Sequence, residues 1–324
     1  MLERTAQKYV KNDIAAKGEM NMKRAVIIGG KGKVGTYLVP MLCENGYEVI
    51  NVSRGSSNPY LEHGCWKQVQ QVSIDRADPA FAETIADLKP DVVVDMICFT
   101  LEDMKKLVSA LNGVVSHYLV CGSVWVHGSS TCVPYSEEQD LTPFGEYGIQ
   151  KLAMTREIER LYATTGFPGT VVHPGHIVGP GHLPLNPQAN KNTAVFEALI
   201  HGRPVALPNL GMETIHHVHA EDVAGVFFAA IEAGSVSFGQ AFHAVSPGAL
   251  TLRGYAQAVA GWFGQTANLQ FLPYEEWKNG VSPQEAAQTL EHILHAPNAS
   301  MEKAKRLLGF VPRHSSLSAV RSTA

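Results

Sequence analysis

The chain lacks any long apolar run. No stretch approaches the roughly 18 consecutive apolar residues of a spanning helix, so a helical membrane protein is not expected. It lacks an excess of either charge: 26 Lys and Arg against 30 Asp and Glu leave a net charge of -4 over 324 residues. That balance, without a polybasic run, points to neither nucleic acid nor an anionic membrane surface. Cysteine is scarce and unpatterned. Cys43, Cys65, Cys98, Cys121 and Cys132 are odd in number and form no Cys-x-x-Cys, which predicts reduced thiols in a cytoplasmic protein rather than a disulfide framework. Cys98 and Cys121 fall at expected strand ends and read as small core residues. Residues 1–22 have no apolar h-region and carry Glu3, Arg4, Lys8, Lys11, Asp13, Lys17 and Glu19; they read as an N-terminal extension, not a secretory signal. Internal repeats and low-complexity tracts are also missing.

What is present is a regular alternation. Strands are expected at Ala25–Ile28, Glu48–Val52, Gln68–Ile74, Asp91–Met96, His117–Cys121 and Gly169–His173, with helices at Val34–Glu44, Pro79–Leu88, Leu101–Leu111 and Glu146–Thr165. Runs of Val and Ile without polar alternation suit parallel strands buried on both faces, and the β-α-β-α order predicts an α/β, Rossmann-type doubly wound sheet. Pro40 is a local misfit in its helix, where an interior proline costs about 3 kcal/mol, and predicts a kink. After residue 180 the chain turns proline- and loop-rich, with helices expected at Thr193–His201 and Asp222–Ala233. The expected organisation is an extension over 1–22, a nucleotide-binding domain over 23–180, and a smaller substrate-binding region over 181–324, from which segments around 205–245 return to the core.

Two clusters carry chemistry. After the first strand the chain reads Gly29-Gly30-Lys31-Gly32-Lys33-Val34-Gly35 and enters a helix. Glycines at 29, 32 and 35 let backbone amides approach a pyrophosphate at a helix N-terminus. The second strand ends Asn51-Val52-Ser53-Arg54, without the carboxylate that accepts from the ribose of NAD. Ser53 and Arg54 suit a 2′-phosphate instead, so NADP is favoured over NAD. Farther on, Tyr147 and Lys151 stand four apart, on one face of an expected helix. A phenol has a reference pKa of about 10, and a neighbouring ammonium lowers it, so such a pair can move a proton to or from an alcohol or ketone oxygen.

With these pieces the chain resembles the extended short-chain dehydrogenase/reductase family, in its NAD-dependent epimerase/dehydratase branch, over about residues 23–312. Gly29–Gly35 resembles the family's nucleotide loop. Cys121-Gly122-Ser123-Val124-Trp125-Val126-His127-Gly128 resembles its Ser-Ser-x-x-Val-Tyr-Gly strand end, and Thr142–Lys151 its Thr-Pro-x-x-x-Tyr-Gly-x-x-Lys stretch. His173–Gly181, Val218–Ala224 and Lys303–Pro312 follow in the family's order. The resemblance implies that Tyr147 is the general acid/base, that Lys151 lowers its pKa and binds the nicotinamide ribose, and that Ser123 holds the reacting oxygen. It also implies an adenine contact from Asp75, which equally suits a turn cap, and a homodimer through Leu101–Leu111 and Glu146–Thr165.

The departures from the family narrow the substrate. Val124-Trp125 stands where nucleotide-sugar dehydratases place Asp-Glu, so elimination of water is not expected. Glu213–His217 lacks the arginine that grips a substrate diphosphate, and His173-Pro-Gly-His176 replaces Arg-x-x-Asn. A small substrate fits at least as well as a nucleotide sugar, with His176 as a substrate contact and Trp125 as a pocket wall or core residue. The histidines lack standard ligand spacing, so no metal is expected. Glu137 and Glu138 read as a solvated pair in a polar loop. The first reading is an NAD(P)-dependent epimerase or oxidoreductase acting at a secondary alcohol or ketone of a sugar-like compound, with a small molecule as its partner. Two others stand beside it: an NADPH-dependent reductase of a non-sugar carbonyl, and a non-catalytic cofactor-binding sensor or nucleic-acid-associated protein.

Overall fold

A computed structural model of the chain describes residues 22–55, 57–139 and 141–323. The extension expected over 1–22 lies outside them except for Met22. In chain order the strands are β1 Arg24–Ile28, β2 Glu48–Ser53, β3 Gln70–Ser73, β4 Val92–Asp95, β5 His117–Cys121, β6 Gly169–Pro174, β7 His176–Val178, β8 Val205–Pro208, β9 Thr214–Ile215, β10 His217–His219, β11 Gln240–Ala244, β12 Leu250–Thr251 and β13 Leu269–Leu272. The helices are α1 Gly35–Glu44, α2 Phe81–Asp87, α3 Leu101–Leu111, α4 Gly145–Thr165, α5 Ala194–Ile200, α6 Ala220–Ala233, α7 Leu252–Trp262, α8 Tyr274–Trp277, α9 Pro283–His295, α10 Glu302–Leu308 and α11 Ser316–Arg321.

Seven strands form one sheet in the order β11-β6-β5-β4-β1-β2-β3, every pairing parallel. This is the doubly wound Rossmann-type sheet that the strand pattern predicts. The two faces of β1 show why it is apolar throughout. Ala25 and Ile27 pack with Leu38 and Leu42 of α1 and with Val223 and Phe227 of α6. Val26 and Ile28 pack on the opposite face with Ile85 of α2, Leu107 of α3 and Ile158 of α4. Strand residues alternate faces, so a strand covered by helices on both sides has no polar face to offer. Pro40 sits inside α1.

After residue 174 the chain leaves the sheet and comes back to it once. Strand β11 returns to pair with β6 at the sheet edge, Gln240 opposite Thr170, and α6 covers the face that α1 covers. The segments before α6 and after β11 supply β7 paired with β10, β9 with β12, and β8 with β13. A third apolar cluster, with Leu199 of α5, Leu207 of β8, Leu252 and Tyr255 of α7, and Ile293 of α9, holds this region together. Among the described residues no helix is long and apolar enough to cross a membrane. Two cavities run along the carboxyl edge of the sheet.

Candidate active site

The first cavity, of about 540 Å³, opens beside the turn from β1 into α1. Gly29 adopts φ +88°, a left-handed conformation that glycine takes without strain, and its N–H donates to Val52 O at 2.9 Å. Close approach explains another glycine. A Cβ on Gly35 would lie 2.3 Å from the Gly30 carbonyl oxygen, so α1 begins directly against the loop. The seven loop residues therefore divide. Gly29 and Gly32 line the cavity with Ser53, Arg54 and Asp75. Gly30 and Gly35 pack against each other, and Val34 is buried in the core. Lys33 lines the second cavity instead. Asp75 also accepts the Ala77 N–H at 2.9 Å, so it faces the cavity and holds its own turn. Arg76 joins this wall. Its guanidinium is paired with the fully buried Asp95 and lies 5.0 Å from the centroid of Phe81. No sequence signal marks that pair, because Arg76 follows β3 and Asp95 ends β4, 19 positions on.

The second cavity, of about 380 Å³, gathers Ser123, Tyr147 and Lys151, and Trp125 and His176 line it as well. Phe99 borders both cavities. Lys151 is 1% exposed. Its ammonium donates to the carbonyls of Cys98 at 2.7 Å and Cys121 at 2.6 Å, tying α4 to the ends of β4 and β5. It stands 5.6 Å from the centroid of the Tyr147 ring. Ser123 follows β5 and accepts the Trp125 N–H at 3.2 Å, which starts the 3₁₀ turn Val124–His127. Tyr147 departs from expectation. Burial of its phenol pushes its pKa up to about 12, with the Cys121 thiol adding to the rise and a hydrogen bond with Ser123 opposing it. The Lys151 charge, held by two carbonyls, is not among the causes. Cys98 is fully buried as expected, whereas Cys121 is only half-buried.

His173 replaces the family's arginine and does what the sequence did not suggest. It is 2% exposed, and its Nδ1 accepts the Ser123 backbone N–H at 2.9 Å. A Cβ on Gly122 would lie 2.2 Å from that Nδ1, so Gly122 is the residue that makes room for the imidazole.

Other histidines line the far side of the cavity. The backbone N–H of His176, on β7, donates to the His216 carbonyl at 2.8 Å, and its ring has those of His217 and His292 as neighbours at 5.4 and 6.1 Å. Burial first, then the charge of His217, holds its pKa well below the usual range. His216 is pushed down to about 4 by burial, and burial lowers His292 too. These imidazoles are therefore neutral at pH 7. Trp125 is half-buried rather than a core residue. One face stacks on His295 at 4.1 Å with 13° between the planes, and His295 in turn packs on Phe144 at 4.0 Å. Its contacts with Tyr147, at 5.8 Å and 85°, and with His292, at 5.4 Å and 73°, are edge-on.

Residues 25–242 match the NAD dependent epimerase/dehydratase family. The chain belongs to that family. It is 29% identical to 2′-dehydrokanamycin reductase of Streptomyces kanamyceticus over 260 residues, covering 80% of this chain and 72% of the relative. It is 26% identical to the chloroplast stem-loop binding protein of 41 kDa b of Arabidopsis thaliana, over 90% of this chain and 75% of that one. Among solved structures, UDP-glucose 4-epimerase of Thermotoga maritima shares the fold with a TM-score of 0.70 at 19% identity, covering 93% of this chain and 97% of that chain. The protein is thus an NAD(P)-dependent enzyme of the short-chain dehydrogenase/reductase type, acting on a small molecule.

One expectation for the polar residues needs correction. Glu137 is not solvated: its side chain is 3% exposed and accepts the His243 N–H at 2.7 Å. A loop that folds back onto the edge strand β11 buries it, and burial raises its pKa. His219, Glu221 and His314 do converge, from separate segments, with ligand-type atoms within 4.8 Å of one another. Their existing bonds argue against an ion. The His219 and His314 rings stack at 3.9 Å and 21°, which sets their in-plane lone pairs side by side. His219 Nδ1 accepts the Glu221 N–H, and the Glu221 carboxylate already holds Arg313 and His314.

Proposed function

We propose that this enzyme uses NADP(H) to interconvert a secondary alcohol and a ketone on a sugar-like substrate, with Tyr147, Ser123 and Lys151 as its catalytic group. One observation carries the reading. Three side chains 28 positions apart at most share one cavity at the carboxyl edge of a parallel sheet, with the lysine fixed by two backbone carbonyls. This edge is where ligands bind in such folds.

The residues present fit a dinucleotide. The glycine turn brings backbone close at Gly29 and Gly32, and the cavity beside it continues past Phe99 to Tyr147. Gly29 and Gly32 would hold the pyrophosphate, and Asp75 the adenosine end. Ser53 and Arg54 would hold a 2′-phosphate; both line the cavity, and β2 ends without a carboxylate. The bound nicotinamide supplies the hydride acceptor or donor. The protein moves the proton. Ser123 Oγ holds the substrate oxygen, and the Tyr147 hydroxyl gives it a proton in reduction or takes one in oxidation. The phenol is protonated at pH 7, as an ordinary phenol is, so it can serve directly as the acid in reduction. The reductase from Streptomyces kanamyceticus supports that direction. The name of the Arabidopsis relative denotes stem-loop binding; a net charge of -4 gives this chain little to attract a phosphate backbone.

The purified protein is expected to retain or take up NADP(H) in preference to NAD(H), read by chromatography of the released nucleotide. Tyr147→Phe is expected to keep that binding and to lose 10²-fold or more in hydride transfer. Full activity in Tyr147→Phe would refute the proton role. Stronger binding of NAD than of NADP would refute the cofactor choice while leaving the proton role standing.

A further inference from the structure

We infer that the substrate ring lies on Trp125, and that the substrate is an uncharged cyclic polyol or glycoside rather than a nucleotide diphosphate sugar. The inference rests on the proposed function and adds to it the chemical class of the substrate.

The platform is built in depth. Phe144, His295 and Trp125 form a three-ring stack with spacings of 4.0 and 4.1 Å. The remaining ring contacts of Trp125 are edge-on, and Trp125 lines the cavity that holds Tyr147. Trp125 thus reaches the cavity where the proton is transferred, with one face backed by His295. A flat apolar face with two rings behind it suits the C–H face of a saturated ring, and it costs little side-chain entropy to hold still. Around it the polar groups are of one kind. His176 and His292 are held neutral by burial. His292 spends Nδ1 on the Gln288 carbonyl and keeps Nε2, while both ring nitrogens of the fully buried His216 are taken by Ser246 O and the Ala299 N–H. With Thr214, His176 and His292 match hydroxyl groups, which both donate and accept.

A diphosphate would find little here. The cavity is lined by no arginine, and its cations are Lys33 and Lys151. Lys151 already holds two carbonyls, and burial lowers the pKa of Lys33. A tightly bound diphosphate calls for forked, charge-assisted contacts, which one half-buried ammonium does not supply.

Saturation-transfer NMR on the NADP-bound protein tests this, with methyl α-glucopyranoside, myo-inositol, cyclohexanone and UDP-glucose as probes. The expected result is binding of the glucoside or the inositol, with transfer strongest to the ring C–H groups. Trp125→Ala should raise its Kd at least tenfold, and Trp125→Phe should restore it to within about threefold. His295→Ala should fall between, because it removes the backing and leaves the platform. Retained NADP binding in each variant reports that it is folded. Three outcomes would overturn the inference: UDP-glucose binding more tightly than the glucoside, cyclohexanone binding as well as the polyols, or no polyol binding that depends on Trp125. Tyr147→Phe separates this inference from the one beneath it, since it should abolish hydride transfer and leave the polyol signal intact.

Discussion

Acid should unfold this protein well above the usual carboxylate range. Four histidines in the interior are held neutral: burial lowers His117 and His217 to about 3, and His216 and His243 to about 4. In the unfolded chain each titrates near 6.5. Between those values the unfolded state binds more protons than the folded one, so stability falls as pH falls. The stabilising neutral state is complete above about pH 7.5 and is lost progressively from pH 6.5 downward. At pH 5.5 each histidine costs about 1.4 kcal/mol relative to pH 8, a figure set by the unfolded pKa. Four give about 5–6 kcal/mol, against a total stability of order 5–15 kcal/mol. For a chain of this length that lowers Tm by about 8 °C. His173 and His176 act in the same direction. Glu137 and Asp222, raised by burial, act in the opposite one, nearer the carboxylate range. Urea unfolding followed by tryptophan fluorescence at pH 8.0, 7.0 and 5.5 gives the slope, and proton uptake on unfolding at pH 5.5 gives an independent count of about five, since each of the six histidines takes up about 0.9 proton there. A midpoint unchanged between pH 8.0 and 5.5, or an uptake below one proton, would refute the reasoning.

Replacing Lys151 with Met should cost both stability and activity. The carbonyls of Cys98 and Cys121 lose their partner, at about 1–3 kcal/mol for each buried acceptor left unpaired, read as a lower urea midpoint. Arg54→Ala should weaken NADP binding at least tenfold and leave NAD binding within about twofold, measured by calorimetry with both nucleotides; an equal loss for both would remove Arg54 from the choice of cofactor.

The sheet was legible because its strands are buried on both faces, which leaves runs such as Ala25–Ile28 and Val92–Val94 that suit little else. The glycine turn was legible for a similar reason, since Gly29 needs a positive φ and Gly35 a bare backbone. The walls of the second cavity were harder. Trp125, His295 and Phe144 meet across as many as 170 positions of sequence, and nothing local marks them as one stack. Arg76 and Asp95 pair from the loop after β3 and the end of β4, which two other strands separate in the sheet. Glu137 looked solvated because its neighbours in sequence are polar, whereas the strand that covers it lies a hundred residues away. The Tyr147 pKa failed in another way. Spacing placed Lys151 on the right face, but spacing does not reveal that two carbonyls claim its charge or that burial opposes ionisation.

The contact between Gly122 and His173 makes two distant positions a single heritable unit. The family's strand end carries Ser-Ser where this chain carries Gly122-Ser123, and its next strand carries arginine where this chain carries His173. With the imidazole only 2.2 Å from where a Cβ on Gly122 would stand, serine cannot return at 122 while histidine remains at 173. A route from the family's arrangement to this one by single substitutions opens the space at 122 first. Relatives that share this histidine should therefore share the glycine, while glycine without the histidine should also occur, as the intermediate that the geometry permits.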